Sequence, residues 1–257
     1  MTIMGIERTD EWLKNHFFNP LKICTQLRPS FKEKSESEIY QYLLFFGMYR
    51  PNRMNEEIYH ELIKLNIWKQ AEKILARYQK KWNGPDVSVY IFPFGKKRYP
   101  ISDMQGGVSF KDGMFLFLSS FHKEDKALEA LMVHEYHHVC RLNKSSKPIQ
   151  DYTLLDSLIM EGLAEYAVTK YCGEAYKSNW VTCYSDEELH YYWEKDVKKH
   201  LQSKRMDPIH DAILFGKGRY PHLLGYALGH WLIENASKKR RYSIHDTFSI
   251  KSEELLD

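Results

Sequence analysis

Two histidines four residues apart, in the run His134-Glu135-Tyr136-His137-His138, constrain this 257-residue chain more than any other feature. On an α-helix, positions i and i+4 lie one turn apart on one face, so both imidazoles can offer a nitrogen to a single ion about 2.0–2.1 Å away. Glu135 projects beside that pair, where a carboxylate reaches a water held at the ion without ligating the ion. A catalytic zinc usually keeps three protein ligands and leaves the fourth position for water or substrate. Glu161, in Met160-Glu161-Gly162-Leu163-Ala164-Glu165, is the best third ligand. These residue types predict a zinc centre with Glu135 as its general base.

The segment 124–142 supports the pair as a helix. Leu128, Leu131 and Met132 form an i, i+3, i+4 apolar stripe, and Glu124 and Asp125 fall in the first turn. Arg141 and Lys144 complement the dipole at the far end, with Asn143 as the expected C-cap. A turn over Asn143–Pro148 lets a second helix fold back from about Leu154 to Cys172, with Thr153 and Asp156 as its start signal and Gly173 as its stop. Glu161 and Glu165 then share a face with Leu154 and Leu158, and a glutamate on an apolar face is costly unless something pairs with it. A metal ion would pair with Glu161. Glu165, one turn on, is placed to accept the second N–H of a ligating histidine. His137 is expected on the solvent side or behind the ligands, and Tyr136 in the core or on the helix surface.

Charge decides little about partners. With 37 basic and 34 acidic residues the net charge is +3, which favours neither nucleic acid nor an anionic membrane. The short basic runs, such as Lys96-Lys97-Arg98 and Lys238-Lys239-Arg240-Arg241, read as solvated ends or loops. No apolar run approaches the roughly 20 residues a membrane helix needs, and the first ten residues lack the apolar core of an export signal. A cytoplasmic location with reduced thiols is therefore expected. The four cysteines, Cys24, Cys140, Cys172 and Cys183, contain no Cys-x-x-Cys pair, which argues against a thiolate zinc site. Cys140 reads as a small buried apolar residue.

The remaining chain sorts into helical and extended stretches. Residues 1–85 read as a helical amino-terminal region, with Glu38–Phe46 and Asn55–Lys81 rich in helix formers and broken by Arg50-Pro51-Asn52. Trp82-Asn83-Gly84-Pro85 marks the boundary to a second region, 86–257. There Val87–Phe94 has strand character, with Pro93 ending it or placing it at an edge. Asp112-Gly113, between Val108–Lys111 and Met114–Leu118, signals a type I′ hairpin. A small, mostly antiparallel sheet follows from these. Helices are expected again over 186–203 and Pro221–Ala236, with Pro221 in the first turn and a loop through Pro208 between them. Gly225 and Gly229 permit close helix packing. Tyr226, His222 and His230 lie in the same segment. Tyr226 is either a packed side chain or a donor to the oxyanion of a tetrahedral intermediate.

The string from His134 to Leu142, the later Glu161-Gly-Leu-Ala-Glu165 and the Gly225-Tyr-Ala-Leu-Gly229 run together resemble the YjaZ-like family of predicted zinc-dependent proteases from bacilli. The resemblance covers about 65–234 and is strongest over 127–168. It departs from the family pattern at His230, where the family often carries tyrosine. The resemblance implies a zincin of the gluzincin type with an α+β fold, in which His134, His138 and Glu161 hold zinc and Glu135 is the base. It further implies a metallopeptidase acting on peptides or proteins, with an extended substrate lying along a sheet edge. The competing reading is a metal-stabilised, non-catalytic binding or regulatory protein on the same fold.

Overall fold

The computed structural model describes residues 5–31, 33–95, 105–119 and 126–256. It divides into two compact units, Met1–Glu135 and Tyr136–Asp257. The sheet groups with the amino-terminal helices in the first of these.

Five helices open the first unit: α1 (Thr9–His16), α2 (Pro20–Leu27), α3 (Glu36–Phe46), α4 (Arg53–Lys64) and α5 (Ile67–Trp82). The single helical stretch expected over Asn55–Lys81 is two helices. Asn66 adopts the left-handed conformation at φ 53°, which asparagine tolerates and which ends one helix before the next begins. Asn83, at φ 46°, closes α5 in the same way at the expected boundary.

Strands β1 (Ser88–Pro93), β2 (Gln105–Ser109) and β3 (Gly113–Leu118) form a sheet in the order β1-β3-β2. The expectation of a mostly antiparallel sheet is corrected: β1 pairs with β3 in parallel, and only the β2–β3 ladder is antiparallel. The chain between β1 and β3, which includes β2, is long enough for the return that parallel pairing requires. Every residue of β3 is buried, as its continuous apolar run suits a central strand. Pro93 ends β1 on an outer strand, where its missing N–H costs no ladder bond. Thr9 ties helices to this sheet, since its Oγ1 donates to Ile91 O at 2.7 Å and accepts from Trp68 Nε1 at 2.9 Å.

The β2–β3 hairpin forms, but its turn differs from expectation. Phe110 N donates to Gly113 O at 2.8 Å, so Lys111 and Asp112 are the two loop residues. Neither is among the described residues with positive φ, which excludes a type I′ turn. Gly113 serves another purpose: a Cβ there would lie 2.9 Å from Ser88 O, its partner in the parallel ladder.

Helix α6 (Ala127–Lys144) carries the histidine run. It continues past the expected end, so Asn143 is not its cap; the Asn143 Nδ2 instead donates to Val139 O within the last turn. Glu124 and Asp125 lie outside the described residues.

The second unit is helical, with α7 (Leu154–Cys172), α8 (Asp186–Lys195), α9 (Pro208–Phe215), α10 (Leu224–Lys239) and α11 (Ile244–Ser249). α7 has the expected bounds. Thr153 accepts from Asp156 N while the Asp156 carboxylate accepts from Thr153 N, and Gly173 at φ 104° stops the helix. α7 packs on α10 through backbone-close contact. A Cβ on Gly229 would lie 2.0 Å from Leu158 O, and one on Gly162 would lie 2.1 Å from Gly229 O. The helix expected over 186–203 breaks at Asp196, whose carboxylate engages Tyr220 and Arg219, and resumes as a short 3-10 turn over Val197–His200. Pro208 opens α9 instead of lying in a loop. Pro221 precedes α10, which starts only after Leu223 has turned through φ 54°. No helix among the described residues is long and apolar enough to cross a membrane.

Candidate metal centre

His134 and His138 project from successive turns of α6, and Glu161 from the middle of α7. Each offers one ligand atom, and the three atoms lie within 4.8 Å of one another. His138 Nε2 and Glu161 Oε2 are 3.5 Å apart, with the His138 and Glu161 side chains 6% and 14% exposed. Two ligands about 2.05 Å from one tetrahedral ion stand roughly 3.3 Å apart, so this spacing suits a shared cation. The donor set fits zinc best among common divalent ions, although cobalt, manganese and iron accept the same groups.

Glu135, next to the first histidine, is buried at 5% exposure. Its carboxylate is in contact with β2. Ser109 Oγ donates to Glu135 Oε2 at 2.6 Å and stands 2.9 Å from the Glu135 carbonyl oxygen. Gly107, two residues earlier on the same strand face, lies under the side chain: a Cβ there would be 2.4 Å from both Cδ and Oε1 of Glu135. Sequence reading did not find these two residues. The available signal was the glycine pair Gly106-Gly107 inside a strand, which marks close approach by another group.

Glu165 is fully buried on α7, and both of its oxygens accept from Ser178. The Ser178 N–H reaches Oε2 at 3.0 Å and the hydroxyl reaches Oε1 at 2.9 Å. It thus anchors the segment that follows α7. Tyr226 stands on α10 with its ring edge-on to Trp180, 5.4 Å between centroids, and tilted against Phe215 at 6.1 Å. His230, one turn on, is buried, and burial together with Lys177 holds its pKa below the usual histidine range. His222 is exposed.

Of the two placements expected for His137, the solvent side is corrected. The residue is fully buried, with Nε2 3.0 Å from Thr247 Oγ1 and its ring against Phe248 of α11. Thr247 Oγ1 already donates to Ile244 O at 2.6 Å, so His137 must be the donor through Nε2–H. Arg141 reinforces this contact, donating from Nη1 to Thr247 O at 2.8 Å. The i, i+3 and i+4 faces of α6 are thereby divided, His138 toward Glu161 and His137 with Arg141 toward α11. Tyr136 is in the core. Cys140 is buried too, and burial pushes its thiol up to about 12, as an inert apolar residue requires.

Comparison with known proteins agrees with this arrangement. Residues 67–257 match the family described as "Predicted Zn-dependent protease (DUF2268)". The chain is also 34% identical, over 265 aligned positions and 99% of each chain, to "Uncharacterized protein YjaZ" of Bacillus subtilis (strain 168). No solved structure matches it. The matched region contains α6, α7 and α10, and so all three residues of the group that could hold a metal ion. By the extent of that match, the chain belongs to the predicted Zn-dependent protease family (DUF2268).

Proposed function

We propose that the chain is a zinc-dependent peptidase of the gluzincin type. His134, His138 and Glu161 would hold the ion, and Glu135 would be the general base. The observation that carries this reading is the convergence of two imidazoles and one carboxylate within 4.8 Å, beside a buried glutamate that is not one of the three. A structural zinc site would be closed by a fourth protein ligand and would need no base.

When bound, zinc supplies Lewis acidity, polarising a scissile carbonyl and making a water more acidic. Glu135 would take the proton from the attacking water through its carboxylate and deliver it to the departing amine as the C–N bond breaks. Glu165 would orient a ligand imidazole from α7 by accepting its second N–H, and Tyr226 is our candidate for the donor to the oxyanion. Neutral-pH hydrolysis of peptides or proteins follows.

The test is peptide cleavage by wild type and Glu135→Gln, with zinc content measured in both. Loss of a general base typically costs about 10²–10⁴-fold in rate, so a fall in that range with zinc retained is expected. Equal cleavage by the two proteins would exclude Glu135 as the base.

A further inference from the structure

We infer that strand β2 is a positioning element for the general base, with Ser109 as a positioning residue and Gly107 as the space that makes the position possible. The inference deepens the peptidase reading and rests on it for its effect on rate. Its effect on geometry rests only on the contact of Glu135 with β2.

A glutamate side chain has three rotatable bonds, and a base must be held close to one geometry to act on an attacking water. Two contacts from the same strand supply that restraint. Ser109 Oγ donates to Glu135 Oε2 at 2.6 Å, within the ordinary range for a hydroxyl donor. The hydroxyl has one hydrogen and two acceptors in range. The second, the Glu135 carbonyl oxygen at 2.9 Å, belongs to the helix backbone, so the shorter contact to the carboxylate takes the hydrogen.

The second contact is steric. A Cβ at position 107 would stand 2.4 Å from Glu135 Cδ and Oε1 and 2.6 Å from Cγ. No side chain larger than hydrogen fits there while the carboxylate keeps its place. Residues 107 and 109 are i and i+2 on a strand and point to one face, so one oxygen is held by Ser109 while the other lies over Gly107. This face is built for Glu135. β2 is also an outer strand of the sheet, paired only with β3 among the described strands, so its register against Met114–Leu118 fixes where the Ser109 hydroxyl stands.

The experiment compares wild type, Ser109→Ala, Ser109→Thr and Gly107→Ala as full chains loaded with zinc. Zinc content, melting temperature, kcat and KM on one cleaved peptide, and a crystal structure of each are measured. Ser109→Ala should keep its zinc and melting temperature while kcat falls about 10–100-fold, a range expected for misplacing a catalytic group by about 1 Å. KM should stay within twofold, because Ser109 does not hold substrate. Ser109→Thr, which retains the hydroxyl, should recover most of kcat. In the crystal structures the Glu135 carboxylate should leave its wild-type position in both Ser109→Ala and Gly107→Ala.

Either of two results overturns the inference: a Ser109→Ala kcat within twofold of wild type, or a Glu135 carboxylate that stays in place in that variant. The geometric readout also separates the two claims. A wild type that cleaves nothing, with Glu135 displaced in Ser109→Ala, would overturn the peptidase reading and leave the positioning intact.

Discussion

Replacing Gly229 with alanine tests whether α7 and α10 are held at backbone contact. Considered as a helix substitution alone, Gly→Ala should stabilise by about 1 kcal/mol, because alanine has the higher helix propensity. The packing argues for the opposite sign. The new Cβ would lie 2.0 Å from Leu158 O and 2.9 Å from Leu158 C, against ordinary contact at 3.4 Å or more. The obstruction is backbone and cannot rotate away, so the helices must separate by roughly 1 Å or more, opening the interface around Leu158, Gly162 and Ile233. Overpacking of this kind costs about 1–3 kcal/mol and sometimes more. With no side chain able to yield, the upper end applies, and after the propensity gain the net loss is about 2 kcal/mol. That corresponds to a fall in melting temperature of roughly 4–8 °C for a chain of this size. Urea unfolding of the variant beside Gly5→Ala, where no atom of the described residues lies within 4 Å of the new Cβ, isolates the effect. A Gly229→Ala protein as stable as wild type, or more so, would refute the close packing. Because Glu161 adjoins Gly162 on α7, the same variant should also bind zinc more weakly.

Two further outcomes follow from a half-buried carboxylate and from the cysteines. Burial alone would raise the Asp156 pKa, but hydrogen bonds from Lys147, from the Thr153 N–H and hydroxyl, and from Ser252 outweigh it and hold the carboxyl below its usual range. The folded pKa is therefore lower than the unfolded one, so the stability it contributes is complete above about pH 4 and is lost as pH falls below that. Asp156→Asn should weaken the chain at pH 7 and flatten the acid limb of its stability curve; an unchanged acid limb would contradict the assignment. Cys24, Cys140 and Cys172 are buried and Cys183 is exposed, with the Cys24 and Cys140 thiols pushed up to about 12 by burial. An aromatic disulfide reagent at pH 8 should titrate one thiol quickly in the native protein and the other three only on unfolding. Fast reaction of more than one would show that the core is looser than described.

What the sequence disclosed depended on how local the signal was. The limits of α7 were legible because Thr153, Asp156 and Gly173 act within a turn of themselves, and the His134–His138 pair because helix geometry alone places it. The parallel pairing of β1 with β3 was not legible: apolar content marks a strand, but nothing local in Val87–Phe94 states which strand lies beside it. Asn66 and Leu223 turn the chain through left-handed conformations that neighbouring helix formers conceal. Pro221 looked like a helix start because proline favours that position, yet the turn packed against Gly216 delays α10 to Leu224. His137 could not be placed without Thr247, more than a hundred residues away. The contact of Ser109 with Glu135 is likewise long-range, so the glutamate beside the histidines was legible and the strand it touches was not.

The central claim is that His134, His138 and Glu161 share one catalytic ion. Anomalous diffraction at the zinc edge from zinc-loaded crystals measures this directly. The account predicts one zinc per chain, bonded at about 2.0–2.1 Å to one nitrogen of each histidine and to a Glu161 oxygen, with solvent in the remaining position. Zinc found elsewhere, a Glu161 carboxylate outside bonding distance, or a fourth protein ligand closing the site would contradict it.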